Sequence, residues 1–205
     1  MTTERQWVSS FIKKLDNELK KSSPKGLVMA ATDGTKLAYA CEIQEYGPDG
    51  TPVITTNKYE TDILISDIST DGSWIPRVII ECKLKKVTTH DALTYSAKAS
   101  SHRAVHPYLR YGFLAGGRAD YALPARLIRH GQQFDFMISW KEMKASSTEW
   151  KSFCSLILEE AEASRKLRLL LTDNRSVTRI KHSNIHKPMN FVQAGKAKGR
   201  NVSTK

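Results

Sequence analysis

The run Glu60-Thr-Asp-Ile-Leu-Ile-Ser-Asp-Ile68 and the run Ile75-Pro-Arg-Val-Ile-Ile-Glu-Cys-Lys83 decide the fold of this chain. Both are rich in isoleucine, and the second adds valine; these β-branched residues favour strands. Between them lies Asp71-Gly72, a dipeptide typical of two-residue turns in which both central residues have positive φ. The sequence therefore predicts a β-hairpin whose turn is centred on this dipeptide.

On that centre, Asp62 lies opposite Glu81, and Glu60 lies opposite Lys83. Successive side chains point to opposite faces of a strand, so these four share one face. The other face is expected in the core and carries Ile63, Ile65, Val78, Ile80 and Cys82. Two directly opposed carboxylates repel, at a cost of roughly 0.2–1 kcal/mol, unless a cation lies between them. Asp62 and Glu81 therefore predict a site for a hard cation such as Mg²⁺, with Lys83 leaning over it.

The spacing of Asp62 and Glu81-Cys82-Lys83 on two neighbouring strands resembles the motif of the PD-(D/E)xK nuclease superfamily, which includes many restriction endonucleases. The resemblance implies that Asp62, Glu81 and the backbone carbonyl of Cys82 bind Mg²⁺, for which Mn²⁺ can substitute. It also implies that Lys83 orients or activates the attacking water. Thr61 stands where the motif has proline, which many members also lack.

The N-terminal stretch predicts an amphipathic helix that begins with a Thr3–Gln6 capping box and ends before Pro24. Glu18 falls close to Trp7 and Phe11 in helical angle, on the buried side. Some members of the resembled superfamily use a glutamate of the first helix near the metal. Glu18 is therefore a further candidate ligand, although a partly exposed glutamate at the edge of the apolar stripe is the simpler interpretation.

The rest of the chain alternates strand and helix patterns, which predicts an α/β fold with a mixed central sheet flanked by helices. The element order matches the αβββαβ core of the resembled superfamily over roughly residues 4–140. Beyond the hairpin, the predicted strands are 37–43, 51–56, 111–115 and 134–140, and the predicted helices are 89–105, 123–130 and 146–173.

Charge divides the 205 residues into two parts. Residues 1–173 are predicted to form one nuclease-like domain, while residues 174–205 hold eight Lys and Arg and no acid. We expect the second part to be a basic C-terminal extension that is at least partly disordered. No stretch predicts a signal peptide or a membrane span, and the three cysteines lie far apart, so we expect reduced thiols and a cytoplasmic location, in the bacterial cytoplasm or nucleoid.

The net charge of +11 favours a polyanionic partner, and nucleic acid is the first choice. Solvated helix faces and a merely solubilising tail are the alternative interpretations of the same charges. The candidate DNA-binding residues are Lys85, Lys86, Lys98, Arg103 and Arg110 in the core and Arg175, Arg179, Lys181, Lys196, Lys198 and Arg200 in the extension.

Together these features predict a Mg²⁺-dependent endonuclease that hydrolyses DNA phosphodiester bonds, such as a type II restriction enzyme. A restriction-type enzyme would act as a homodimer with one active site for each strand. Two alternatives stay open: a non-catalytic nucleic-acid-binding module on the same fold, and the nuclease subunit of a repair or recombination complex. An intact set of Asp62, Glu81 and Lys83 argues against the first of these.

Overall fold

The computed structural model describes residues 2–119 and 122–172, which form four helices and seven strands within those ranges. The candidate DNA-binding residues of the C-terminal extension lie outside the described part of the chain. The helices are α1 (Glu4–Lys21), α2 (Thr89–Val105), α3 (Ala125–His130) and α4 (Ser147–Thr172). The strands are β1 (Val28–Thr32), β2 (Lys36–Tyr46), β3 (Pro52–Glu60), β4 (Ile63–Ile68), β5 (Trp74–Leu84), β6 (Arg110–Gly116) and β7 (Phe136–Ser139).

Five strands form one mixed sheet in the order β1-β4-β5-β6-β7. The β1–β4 and β4–β5 pairs are antiparallel, and the β5–β6 and β6–β7 pairs are parallel. Helices α1 and α4 pack on one face, and α2 and α3 pack on the other, so each face has its own apolar core. The predicted α/β class, with helices on both sides of a mixed sheet, is confirmed.

The β4–β5 hairpin forms as predicted, but its turn differs from the predicted two-residue turn. Ser69 and Ser73 close a three-residue loop, and Gly72 alone in that loop has positive φ, at 84°. The odd-numbered loop shifts the pairing by one residue, so that Ile68 lies opposite Trp74. A bulge at Arg77 then shifts it back, because one strand carries an extra residue there.

The two shifts cancel before the polar end of the hairpin. Ile63 lies opposite Ile80 and Ile65 lies opposite Val78, which is the predicted register. Each of these side chains, with Cys82, lies in the core beneath α1 and α4. The opposite face is also covered, because Leu64 and Ile79 pack under α2 in the second core.

The sequence patterns missed the first strand of the sheet. Strand β1 is a short Val-Met-Ala-Ala-Thr segment, and alanine and methionine give little strand signal. It forms because its middle residues are buried against α1 and β4. The two strands that were predicted for residues 37–43 and 51–56 do exist, as β2 and β3, but they form a separate two-stranded sheet. We call this hairpin the arm.

Helix ends follow the capping signals in the sequence. Thr3 and Gln6 form the predicted capping box of α1, and Thr88 and Asp91 form one for α2. At the start of α4, Glu149 accepts the backbone N–H of Ser146 at 2.7 Å. No helix within residues 2–119 and 122–172 is both long and apolar enough to cross a bilayer.

The base of the arm is held on α2 by a buried histidine. His102 contacts the carbonyl oxygen of Ala38 through Nδ1 at 2.9 Å, and its ring lies 6.0 Å from that of Tyr59. Burial lowers the pKa of His102 to about 4, and the nearby His106 and Lys98 contribute to the same shift. The folded protein therefore holds this imidazole neutral.

The contribution of His102 to the stability of the fold should decrease in mild acid. Its pKa is about 6.5 in the unfolded chain and about 4 in the folded one, so only the unfolded chain gains a proton as the pH falls below 6.5. We expect His102 to remove up to about 2 kcal/mol of stability between pH 6.5 and pH 5. Urea unfolding across this range, compared with His102→Asn, tests the prediction. Parallel pH profiles would contradict it, and His90→Asn on the exposed first turn of α2 is the control.

Candidate active site

Asp62 and Glu81 come together at the end of the hairpin, as the register predicted. Asp62 immediately precedes β4, and its Oδ2 accepts the backbone N–H of Cys82 at 2.7 Å. Glu81 is buried, at 1% exposure, and lies close enough to Asp62 for the charge of Asp62 to raise its pKa. Two carboxyl groups therefore lie close together at the open end of the β4–β5 hairpin, in the middle of the sheet.

Both carboxyl groups are held in an environment that disfavours their charge. Burial raises the pKa of Glu81 to about 7; the charge of Lys98 opposes the shift, and the charge of Asp62 adds to it. Burial also raises the pKa of Asp62, although the Cys82 N–H and the charge of Lys98 lower it in part. Such shifts are expected where carboxylates lack enough positive charge around them.

Two residues from other elements contact the same oxygen of Glu81. The hydroxyl of Tyr111 donates to Oε1 at 2.5 Å, and Lys98 Nζ lies 3.3 Å from it. Tyr111 reaches Glu81 because β6 lies parallel to β5, and Lys98 reaches it from α2. The ammonium of Lys98 also lies over the rings of Tyr59 and Tyr95, 5.4 and 5.3 Å from their centroids.

Lys83 lies on the predicted face, but its nearest partners are two other carboxylates. Its Nζ is 3.6 Å from Glu4 and 3.5 Å from Asp91. Glu4 is in the first turn of α1 and Asp91 is in the first turn of α2, so the N-termini of both helices meet at Lys83. Burial raises the pKa of Asp91, but hydrogen bonds from Thr88 and the charge of Lys83 outweigh this and leave it lowered.

The glutamate of the first helix that approaches the site is Glu4, and the expectation for Glu18 is corrected. Glu18 pairs with Lys21 at 3.1 Å near the other end of α1. Fourteen residues separate the two glutamates, which is about 21 Å along a helix. The charge of Glu4 instead contributes to the raised pKa of Asp62. The direction of α1 along the sheet decides which of its glutamates lies near the site, and helical periodicity alone does not give that direction.

The donor set suits a hard divalent ion held by few protein ligands. Among the described residues, no three His, Cys, Asp or Glu side chains form a ready metal cluster. Mg²⁺ commonly binds one or two carboxylates and fills the rest of its shell with water and substrate phosphate. The carbonyl of Cys82 points to the same side as its N–H, which is the side of Asp62. Asp62, Glu81 and this carbonyl therefore fit the ion.

A small cleft of about 40 Å³ opens beside Asp62. Its wall includes Arg5 from the first turn of α1, an exposed cation that the sequence interpretation did not single out. Asp33 and Glu60 line the same cleft. Access to Asp62 therefore passes a mixed charged rim, and Arg5 is its positive side.

The predicted DNA-binding residues of the core divide into two groups. Lys85 and Lys86 are exposed just beyond the end of β5, and Arg118 lies beside them, donating to the carbonyl of Lys85 at 2.9 Å. Lys98 belongs to the carboxylate cluster and is not a free surface cation.

The predicted DNA-binding role of Arg103 and Arg110 is also corrected, because both residues belong to an interior network of ion pairs. Arg110 is buried, with Nε 2.7 Å from Glu160 and Nη1 3.0 Å from Asp135. Arg103 lies 3.9 Å from Asp135. These ion pairs connect α2 and β6 to α4 and to the loop before β7. They stabilise this packing because a buried charge without its partner is strongly destabilising. Sequence alone could not separate them from surface cations, because their partners are distant in the chain.

No family model matches this chain, and no curated protein matches it either, so the nuclease resemblance stays a prediction carried by the motif.

Proposed function

We propose that this protein is a Mg²⁺-dependent endonuclease that hydrolyses phosphodiester bonds of DNA, acting as a homodimer. The observation that carries the proposal is the pair formed by the half-buried Asp62, just before β4, and the buried Glu81 on the adjacent strand β5. The charge of Lys98 lowers the pKa of both carboxyl groups but does not cancel the effect of burial on either. A divalent ion between them would supply the missing positive charge.

The charge balance of the whole cluster supports the same proposal. The carboxylates of Glu4, Asp62, Glu81 and Asp91 face two ammonium groups, those of Lys83 and Lys98. When all six groups are ionised, the cluster has a net charge of about −2, from four negative and two positive charges. One divalent cation would neutralise this charge. The adjacent Lys85, Lys86 and Arg5 would offer contacts to phosphates.

The element order is a second support. When the arm is set aside, the elements run α1, β1, β4, β5, α2 and β6, which is an αβββαβ order. We propose that this is a restriction endonuclease-like core with the arm inserted between its first and second strands. The candidate site then lies on the second and third strands, where the resembled superfamily has its motif.

Each residue of the site has a role in this proposal. Asp62, Glu81 and the Cys82 carbonyl would hold Mg²⁺, which when bound polarises the phosphate and lowers the pKa of a bound water. Lys83 would offset negative charge that develops on the phosphate and would position the attacking water. Tyr111 and Lys98 orient Glu81 through Oε1 and favour its ionised form, which is the form that binds a cation.

Incubation of the full chain with plasmid and genomic DNA, with and without Mg²⁺, tests the function. Nicked, linear or fragmented DNA that appears only with Mg²⁺ supports the proposal. Discrete fragments would indicate a restriction enzyme, and a smear would indicate a nuclease of low sequence preference. DNA binding with no cleavage under any metal condition would overturn the proposal in favour of a non-catalytic binding module.

The metal dependence has a specific expected pattern. Mg²⁺ and Mn²⁺ should support cleavage, whereas Ca²⁺ should support DNA binding with little turnover, because its looser shell positions water poorly. Mg²⁺ should also raise the melting temperature of the free protein, since binding to the folded state alone stabilises it, and Asp62→Asn should abolish this rise. Plasmid cleavage, fluorescence anisotropy and thermal melting measure the three effects. Cleavage that persists in excess chelator would reject the mechanism.

A further inference from the structure

The arm carries an exposed apolar face that no other part of the described chain covers. Every residue of the sixteen from 41 to 56 is exposed except Gly47. Large apolar side chains are among them, with exposures of 52% for Ile43, 65% for Tyr46 and 56% for Ile54. A two-stranded hairpin is marginally stable in water without further packing. Only the base of the arm gains packing from α2, so its outer part is a candidate for a partner surface.

The register sorts the arm into two chemically different faces. Ile43 lies opposite Ile54, and directly opposed residues share a face. The same alternation puts Tyr59 on the reverse face, which points to α2 and His102. The paired residues on the face turned away from α2 carry no charge beyond the base of the arm, and they are Cys41, Ile43, Tyr46, Pro52, Ile54 and Thr56.

Nucleic acid does not suit this surface. Residues 37–57 contain three acids, Glu42, Glu45 and Asp49, and no Lys or Arg. DNA affinity depends on cations that displace the counterions of the phosphates, and this segment has none. An apolar, uncharged face with Glu42 and Glu45 on its reverse suits a protein surface instead.

Charges at the two ends of the arm match a second copy of the same chain. Lys58 lies on the outward face at the base of the arm, and Asp49 lies in the turn at its tip, where it accepts from Thr51. The pair Ile43–Ile54 lies between them, on the order of 10–14 Å from each. Two arms packed face to face in antiparallel directions would bring each Asp49 to the partner's Lys58, with the isoleucines at the centre. A twofold axis requires such a self-complementary pattern.

We propose that the outward face of the arm is a homodimer interface in which two arms pack antiparallel across a twofold axis through the Ile43–Ile54 region. Each copy supplies the six residues of the outward face together with Lys58 and Asp49, far fewer than the roughly 20–30 on each side of a standard interface. We therefore expect a dimer of micromolar affinity that depends on protein concentration. The proposal does not rest on the nuclease function, because these residues lie outside the candidate active site.

Sedimentation velocity of the full chain over roughly 1–200 µM tests the interface with a matched pair of variants. Ile54→Asp should weaken the dimer at least about 10-fold, because it puts two carboxylates near the axis. Val53→Asp is the control: Val53 is its neighbour, is 47% exposed and lies on the reverse face. A wild-type chain that stays monomeric throughout, or equal effects of the two variants, would overturn the proposal.

Two further measurements are independent of any loss of folding. In a Cys41→Ser background, Ile54→Cys should give a covalent dimer with a short bis-maleimide reagent, and Val53→Cys should not. Lys58→Glu and Asp49→Lys should each weaken the dimer, whereas the double variant should recover most of the affinity. Cross-linking through Val53→Cys alone, or a double variant no better than the single ones, would show that the face or the antiparallel alignment is wrong.

Discussion

Replacement of Asp62 by Asn, of Glu81 by Gln, or of Lys83 by Ala is expected to lower DNA cleavage by more than about 100-fold. The two carboxyl variants keep the shape of the side chain and remove the charge that a cation needs. Glu81→Gln can still accept from Tyr111, so the geometry around β5 and β6 should persist. The measurement is the rate of plasmid cleavage in Mg²⁺, with DNA binding measured in parallel.

The free energy of unfolding of Glu81→Gln shows whether a loss of cleavage comes from lost catalysis or from lost folding. The pKa of Glu81 is about 7 in the folded chain and about 4.5 in the unfolded one, so the folded state resists ionisation of this group. Its ionised form therefore lowers stability as the pH rises through that interval. At pH 8 in metal-free buffer, Glu81→Gln should be as stable as the wild type or up to about 3 kcal/mol more stable.

The control for this series is a carboxylate at the opposite end of the same hairpin. Asp71 is exposed in the β4–β5 turn, where it accepts from Ser73. Asp71→Asn should leave cleavage unchanged. Full activity in Glu81→Gln would show that the Asp62–Glu81 pair is not the catalytic site, and the proposed function would then lose the observation that carries it.

Replacement of Asp67 by Ala is expected to destabilise the fold by about 3–5 kcal/mol of unfolding free energy. Asp67 is buried, and its Oδ2 lies 2.7 Å from Nε of Arg77. Arg165 from α4 donates to both of its oxygens, at 2.9 and 2.7 Å. Without Asp67, two guanidinium groups would keep their charge with no carboxylate between them. The melting temperature should fall by roughly 6–20 °C.

The ion pairs of Asp67 affect the candidate site through the bulge in β5, because this bulge restores the register that brings Asp62 opposite Glu81. Arg77 is the extra residue of the bulge that restores the register, and Asp67 holds its side chain in place. Burial by itself raises the pKa of Asp67, but the hydrogen bonds from Arg165 and Arg77 outweigh it and leave the pKa lowered. This contribution to stability is therefore present at neutral pH and is lost as the pH falls through the acid range.

A surface ion pair is the comparison for Asp67→Ala. Glu18 and Lys21 pair on the exposed side of α1, and Glu18→Gln should cost less than about 1 kcal/mol. Urea unfolding of both variants measures the difference. If Asp67→Ala unfolded within 1 kcal/mol of the wild type, the cluster would not be the anchor of the bulge.

Local patterns in the sequence determined much of this molecule. Capping boxes set the starts of α1, α2 and α4, because a cap needs only residues three apart. Alternation set the two faces of the β4–β5 hairpin, and it brought Asp62 opposite Glu81. These features depend on neighbours along one or two strands, so a single sequence is sufficient to predict them.

Only the tertiary structure decided which distant groups complete the site. Tyr111 and Lys98 reach Glu81 because β6 runs parallel to β5 and α2 crosses above them, and Glu4 reaches Lys83 because α1 points its N-terminus at the site. The same long-range packing made Arg110 an interior residue and compensated the three-residue turn with a bulge at Arg77. Such contacts are set by how whole elements pack, and no local spacing encodes them.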